Sequence, residues 1–241
     1  MKKTILLTSM LLALTVSVAL AAGGFSLNWG TVCYTEAATP ALVFACATNS
    51  GTAGVMTTTF MLDNPMADLV GCEWQIDGQS DDVALPEWWK LGAAPDCRAN
   101  KASFKSAYVA VATEACVDWT DGQGFNAPNF TWTGNRVRLT LGIAIDASTP
   151  FGALASQEYY SGGVDILNSK TVGTGACLGC GVGMIFAENV FTAAGLDGRR
   201  DEFIVPMTGG NRCLSWNNPT TSCTLVPARP TTWGQIKGLY R

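Results

Sequence analysis

Apolar and polar residues alternate along this chain far more often than they recur at helical spacing. The stretch 136–145, RVRLTLGIAI, puts Val137, Leu139, Leu141, Ile143 and Ile145 on one face of an extended chain. Its other face carries Arg136, Arg138, Thr140, Gly142 and Ala144, the pattern of a strand buried on one side. Phe25, Leu27 and Trp29 alternate in the same way, as do Val70, Cys72, Trp74 and Ile76. Further strands are predicted over 55–62, 104–111, 159–167, 182–186 and 203–206. Runs such as DGQSDD, TDGQGFNAPN and TGGNR separate them and carry turn chemistry. Many strands without βα alternation predict an all-β fold, a single antiparallel sandwich of jelly-roll type. Two short helices are expected. One lies over 85–92, where Pro86 suits a first helical position and Gly92 a stop, and the other lies in the last residues, 231–241.

The first residues break the alternation. Lys2 and Lys3 precede an apolar run over 5–20, and Ala19-Leu20-Ala21 supplies small residues for signal-peptidase cleavage. The expected organisation is a signal peptide at 1–21, a sandwich domain at 22–228 and a C-terminal tail at 229–241. The apolar run is too short to span a bilayer, so no membrane insertion is expected after cleavage. Loss of Lys2 and Lys3 moves the formal charge from −4 to −6. An acidic surface has no general attraction for nucleic acid, which leaves carbohydrate or another surface protein as the expected partner. The product is expected outside the inner membrane, periplasmic or extracellular.

Export changes the reading of the nine cysteines. An oxidising compartment favours disulfides, and an odd count leaves one thiol over. Near-neighbour pairing is the simplest arrangement: Cys33–Cys46, Cys97–Cys116, Cys177–Cys180 and Cys213–Cys223. Cys72 is then the free thiol, buried on the apolar face of its strand and inert there. Cys177-x-x-Cys180 sits among glycines rather than at a helix start, and there is no second CxxC, so it reads as a staple rather than a redox or zinc centre.

The chain contains no histidine. That removes Ser-His-Asp and Cys-His catalysis and most catalytic zinc sites. No cofactor is expected. Carboxylates remain: Glu73, Asp77, Glu87, Glu114, Asp118 and Glu158 could supply the pair of a glycoside hydrolase. Asp77, Asp81 and Asp82 form a calcium candidate without EF-hand spacing, for which a plain acidic turn is the simpler reading. No catalytic residue is assigned. The ligand-binding candidates are Trp88 and Trp89, one of which could offer a platform to a sugar ring, while both together could instead plug the end of the sandwich. Trp119, Trp132, Trp216 and Trp233 lie near turns as further surface candidates.

FSLNWGTVC, VFAC, LPEWWKLG, DCR, EYY, LNSKTVGTGACLGC and the closing TTWGQIKGLYR resemble a group of secreted, disulfide-containing β-proteins of uncultured bacteria, uncharacterised and with no established activity. The resemblance implies export and the local pairing of Cys33 with Cys46 and Cys97 with Cys116. It implies no catalytic residue. The expected function is a non-catalytic binding or structural role at the cell exterior. The alternatives are a carboxylate-based hydrolase of extracellular polysaccharide and a self-assembling surface-layer or filament subunit.

Overall fold

The computed structural model describes residues 23–31, 33, 39–106 and 116–223. The signal segment, the C-terminal tail with its expected helix, Glu114, Trp233 and most of the predicted strand 104–111 lie outside the described residues. Among the described residues there are twelve strands: β1 (Gly24–Trp29), β2 (Ala41–Leu42), β3 (Thr52–Met61), β4 (Met66–Ser80), β5 (Ala102–Lys105), β6 (Phe125–Thr133), β7 (Arg136–Ala144), β8 (Phe151–Ala153), β9 (Glu158–Leu167), β10 (Met184–Gly195), β11 (Arg200–Phe203) and β12 (Cys213–Trp216). They form two sheets. One has the order β1-β3-β9-β5; the other runs β2-β12-β10-β4-β7-β6, with β11 also on β10 and β8 on β4. All strand pairs are antiparallel except β2 with β12. The fold is an antiparallel β-sandwich, as the alternation predicts.

The core lies between the sheets. From β7 it takes Val137, Leu139, Leu141 and Ile143, and from β4 Cys72, Trp74 and Ile76, all buried. Val70 leaves the predicted face. On β10, Ala194 pairs with Gly71 and Gly195 with Leu69, so Val70 is the extra residue of a bulge and Leu69 takes the buried place. A second bulge lies in β9, where Thr58 faces Gly162 and Thr59 faces Tyr160, leaving Ser161 over. The freed Ser161 carbonyl accepts the Trp74 indole N–H at 2.8 Å, and its hydroxyl donates to Thr58 Oγ1 at 3.0 Å. Polar atoms deep in the core are thereby satisfied rather than stranded. Gly162 is required there: its φ is +117°, and a Cβ would lie 2.7 Å from Leu141 and 2.8 Å from Ile143 of the facing sheet.

The edges are treated differently. β1 is covered along its outer side: Leu27 N–H donates to the Asn211 carbonyl, Met207 N–H to Phe25 and Trp29 N–H to Thr39. At the far side of the larger sheet, β6 is an exposed edge strand with Pro128 in its middle, a residue that blunts edge pairing because it has no N–H. This strand corrects the reading of TDGQGFNAPN as turn alone. The end of that run extends along β7, with Phe125 opposite Ala144 and, further on, Thr133 opposite Arg136.

The disulfides correct three of the expected pairings. Cys33 joins Cys116, Cys46 joins Cys180 and Cys97 joins Cys177, while Cys213 joins Cys223 as expected. Cys72 is the free, buried cysteine. The two cysteines of the CxxC therefore do not bond each other. They anchor one glycine loop to two distant segments, with sequence separations of 134 and 80 residues. Near-neighbour pairing fails because strands adjacent in sequence are split between two sheets, so loops that are close in space come from far apart in the chain. In the chain-entropy picture such long-range links constrain the unfolded chain more than local ones, by about 4–5 against 3 kcal/mol each. Four disulfides are the covalent signature of an oxidising compartment. Among the described residues no helix is long and apolar enough to cross a membrane.

Candidate functional site

Trp88 and Trp89 form part of a plug, and this corrects their assignment as a ligand platform. The expected helix is only a single 3-10 turn, Glu87–Trp89, and both indoles are fully buried. Trp216 is the hub: its ring centroid lies 5.4 Å from Trp88, 5.1 Å from Trp89 and 5.3 Å from Phe44. Arg98 seals the assembly from outside the cluster. Its guanidinium carbon sits 3.6 Å from the Trp88 ring centroid, and its N–H groups donate to the carbonyls of Trp88, Leu167 and Ser169. Burial pulls its pKa down to about 9, still high enough to hold the charge at neutral pH. The CxxC loop closes over this plug. Trp88 N–H donates to the Leu178 carbonyl at 2.9 Å, and Gly179, at φ +92°, lets Pro86 approach to where a Cβ would lie 2.3 Å away. The motif is a structural clasp.

The acidic candidates are dispersed. Asp77 is bound by Arg138 through two bonds of 2.6 and 2.7 Å and also accepts from Asn189. Asp81 accepts from Thr220 and Thr221; burial works against its charge, but these bonds outweigh it and hold the carboxyl below its ordinary range. The Asp82 N–H donates to Ser80 Oγ. The three are thus engaged separately rather than converging on one point, which corrects the calcium candidate, and among the described residues no group of three or more His, Cys, Asp or Glu is placed to hold a metal ion. Glu73 projects to solvent from β4, Glu87 pairs with Lys90, and Glu158 is buried in β9.

An aromatic-lined cleft lies at the end of the sandwich where β7 ends and β6 begins. Its volume is about 450 Å³, within the ordinary size of a small-ligand site. One wall is the segment 117–125. Cys116 ties its start to Cys33, and Val117 exchanges backbone bonds with Glu158 and Tyr160 of β9. Asp118 folds the next residues into a turn: one carboxylate oxygen accepts from the Thr120 N–H and hydroxyl at 3.0 and 2.6 Å, the other from the Gly122 N–H. That turn carries Asp121 in the left-handed region, φ 47°, and sets its carboxylate at the rim. The facing wall is the segment 145–151. Its turn is closed by the Thr149 N–H on the Asp146 carbonyl, and the Ser148 N–H donates to the Asp146 carboxylate at 2.8 Å. Those Ser148 bonds hold the Asp146 carboxyl below its usual range, so it is ionised at neutral pH.

Aromatic rings line the cleft between these walls. Phe151 packs edge-on to Tyr159 at 5.7 Å. Trp119 is 1 % exposed, and its indole N–H is buried without a hydrogen-bond partner. Phe125, by contrast, is 71 % exposed at the rim. The surface-aromatic candidates divide accordingly: Trp216 belongs to the plug, Trp119 to this cleft, and Trp132 stands on β6 with its N–H on Asp96 and Lys90 over its ring. Phe125, Asp121 and Asp146 were not legible as site residues, because they lie in stretches whose turn chemistry dominates. The one available signal was an aromatic inside the otherwise polar run TDGQGFN. No family model matches the sequence, and comparison with curated proteins and with solved structures finds no match.

Proposed function

We propose that this chain is an exported, non-catalytic binding protein of the cell exterior that takes carbohydrate in the cleft between segments 117–125 and 145–151. The observation that carries the reading is Phe125, an aromatic ring exposed at the rim of a cleft whose lining adds Phe151 and the polar side chains of Asp121, Gln123 and Asp146. A pyranose ring has an apolar face of C–H groups and a polar edge of hydroxyls. The first suits the exposed Phe125 ring, and the second suits the polar side chains of Asp121, Gln123 and Asp146 in the lining. The disulfides and the leader-like first residues support export.

Calorimetric titration of the oxidised protein with a panel of soluble polysaccharides tests this. Binding is expected to at least one of them, with Phe125→Ala weakening it by about tenfold or more while leaving the melting temperature nearly unchanged. A blank panel, or a Phe125→Ala protein that binds as well as the parent, overturns the reading. Release of reducing ends during the titration would assign the cleft to hydrolysis instead.

A further inference from the structure

We infer that the cleft also takes a segment of a second copy of this chain, residues 224–241, so that the protein associates with itself. This goes beyond the carbohydrate reading and gives the same cleft a competing occupant. The grooves of the described surface differ in charge. One is lined by Arg136 and Arg138, and another by Arg200. The cleft between segments 117–125 and 145–151 has neither lysine nor arginine in its lining. Its walls are mostly apolar, with Phe125, Ile145 and Phe151 beside Trp119, and it carries Asp121 and Asp146. Among the described residues neither carboxylate is in an ion pair, whereas Asp77, Asp165 and Asp201 each have a basic partner. An aromatic groove of this charge suits a partner that is both cationic and aromatic.

The chain supplies one. Residues 224–241, TLVPARPTTWGQIKGLYR, contain Arg229, Lys237 and Arg241 but no Asp or Glu. Their formal charge of +3 leaves the rest of the chain at −7, against −4 for the whole. Trp233, Ile236 and Tyr240 stand among the basic residues and match the Phe125 ring, which is 71 % exposed. The root of the segment is fixed: Cys223 is tied to Cys213 of β12, and Asp81 accepts from the N–H groups of Thr220 and Thr221. That root lies diagonally across the sandwich from the cleft. Cys213 pairs with Ala187 and Ala187 with Asp77 of β4, whereas Phe151 of the cleft pairs with Leu69 of the same strand. From Asp77 to Leu69 the strand runs about 26 Å, and three strand spacings from β12 to β7 add about 14 Å sideways. Trp233, ten residues past Cys223, reaches at most about 36 Å at full extension, and the way to its own cleft runs around the body. A neighbouring copy imposes no such detour, which selects the second copy as occupant.

Sedimentation velocity of the oxidised protein at low salt tests this. The mean mass is expected to rise with protein concentration and to return to that of the monomer as salt is raised. Two variants should each weaken association by about tenfold, the effect of losing two or three surface charge pairs. Arg229→Gln, Lys237→Gln, Arg241→Gln removes the charge of the tail. Asp121→Asn, Asp146→Asn removes that of the cleft, and the amide at position 146 keeps an acceptor for the Ser148 N–H. Mixed together, the two variants should associate again, because one brings an intact cleft and the other an intact tail. A parent that stays monomeric overturns the inference, as does association that survives either variant. Failure of the mixed variants to pair overturns it too, since the tail would then act elsewhere than in a neighbour's cleft. A monomeric parent that binds sugar leaves the carbohydrate reading standing, and a self-associating parent with a blank sugar panel overturns that reading alone.

Discussion

Glu188 is the least expected side chain in the molecule. It lies on β10 opposite Ile76, is fully buried, and both of its carboxylate oxygens lack a hydrogen-bond partner. Burial pushes its pKa well above the ordinary glutamate range. The Cys72 thiol is driven up as well, first by burial and then by the negative charges of Glu188 and Glu73, so it stays protonated and unreactive. The sign for stability follows from proton affinity. The folded state holds the Glu188 proton more tightly than the unfolded chain, so its contribution is full below the ordinary glutamate pKa and drains away as pH rises towards the raised value, by about 1.4 kcal/mol per pH unit. Glu188→Gln should therefore raise stability at neutral pH relative to the parent and flatten the alkaline side of the stability profile. Chemical denaturation across pH measures this, and a parent profile parallel to that of the variant would contradict it. Arg98→Met gives the opposite result at one pH. It leaves three carbonyls without donors and strips the cover from Trp88, with an expected loss of about 3–5 kcal/mol by the same measurement.

At the level of elements, strands buried on one face were the most readable part of the chain. The alternation in β4 and β7 reports a direct physical demand, that every second side chain face the core, and it placed Trp74, Ile76, Leu139 and Leu141 correctly. What alternation cannot carry is register. Val70 and Ser161 fall at bulges set by pairing partners far along the sequence, and no local pattern marks them. β6 was hidden for a different reason: as an exposed edge it has no face to bury, so its residues follow turn composition. The CxxC loop shows the same limit. Its structural nature was legible from its glycines, whereas its partners Cys46 and Cys97 depend on how the loops gather round Trp216. Peptide mapping of the unreduced protein should yield Cys46 linked to Cys180 and Cys97 to Cys177, with no Cys177–Cys180 species. Removing the long-range pair with Cys46→Ala, Cys180→Ala should cost about 2–5 kcal/mol, against less for Cys213→Ala, Cys223→Ala, which closes only a short loop.

Across the whole molecule the two ends of the sandwich differ. One is sealed by indoles, Arg98 and two disulfides, leaving no space for a ligand beside Trp88 and Trp89. At the other, a disulfide, the Asp118 turn and the Asp146 turn hold an open cleft in place. Such a cleft binds without reshaping, so affinity goes into contacts rather than into ordering loops. The indole N–H groups report on it individually. Those of Trp29, Trp74, Trp88, Trp132 and Trp216 already donate within the fold, whereas those of Trp119, beside the cleft, and Trp89, inside the plug, do not. Titrating the oligosaccharide that binds in the calorimetric panel into the nitrogen-15-labelled protein should move the Trp119 indole resonance progressively and to saturation, because its ring lines the cleft, while those five stay in place. A titration in which the Trp119 signal stays fixed, or in which the Trp132 signal moves instead, would contradict the account.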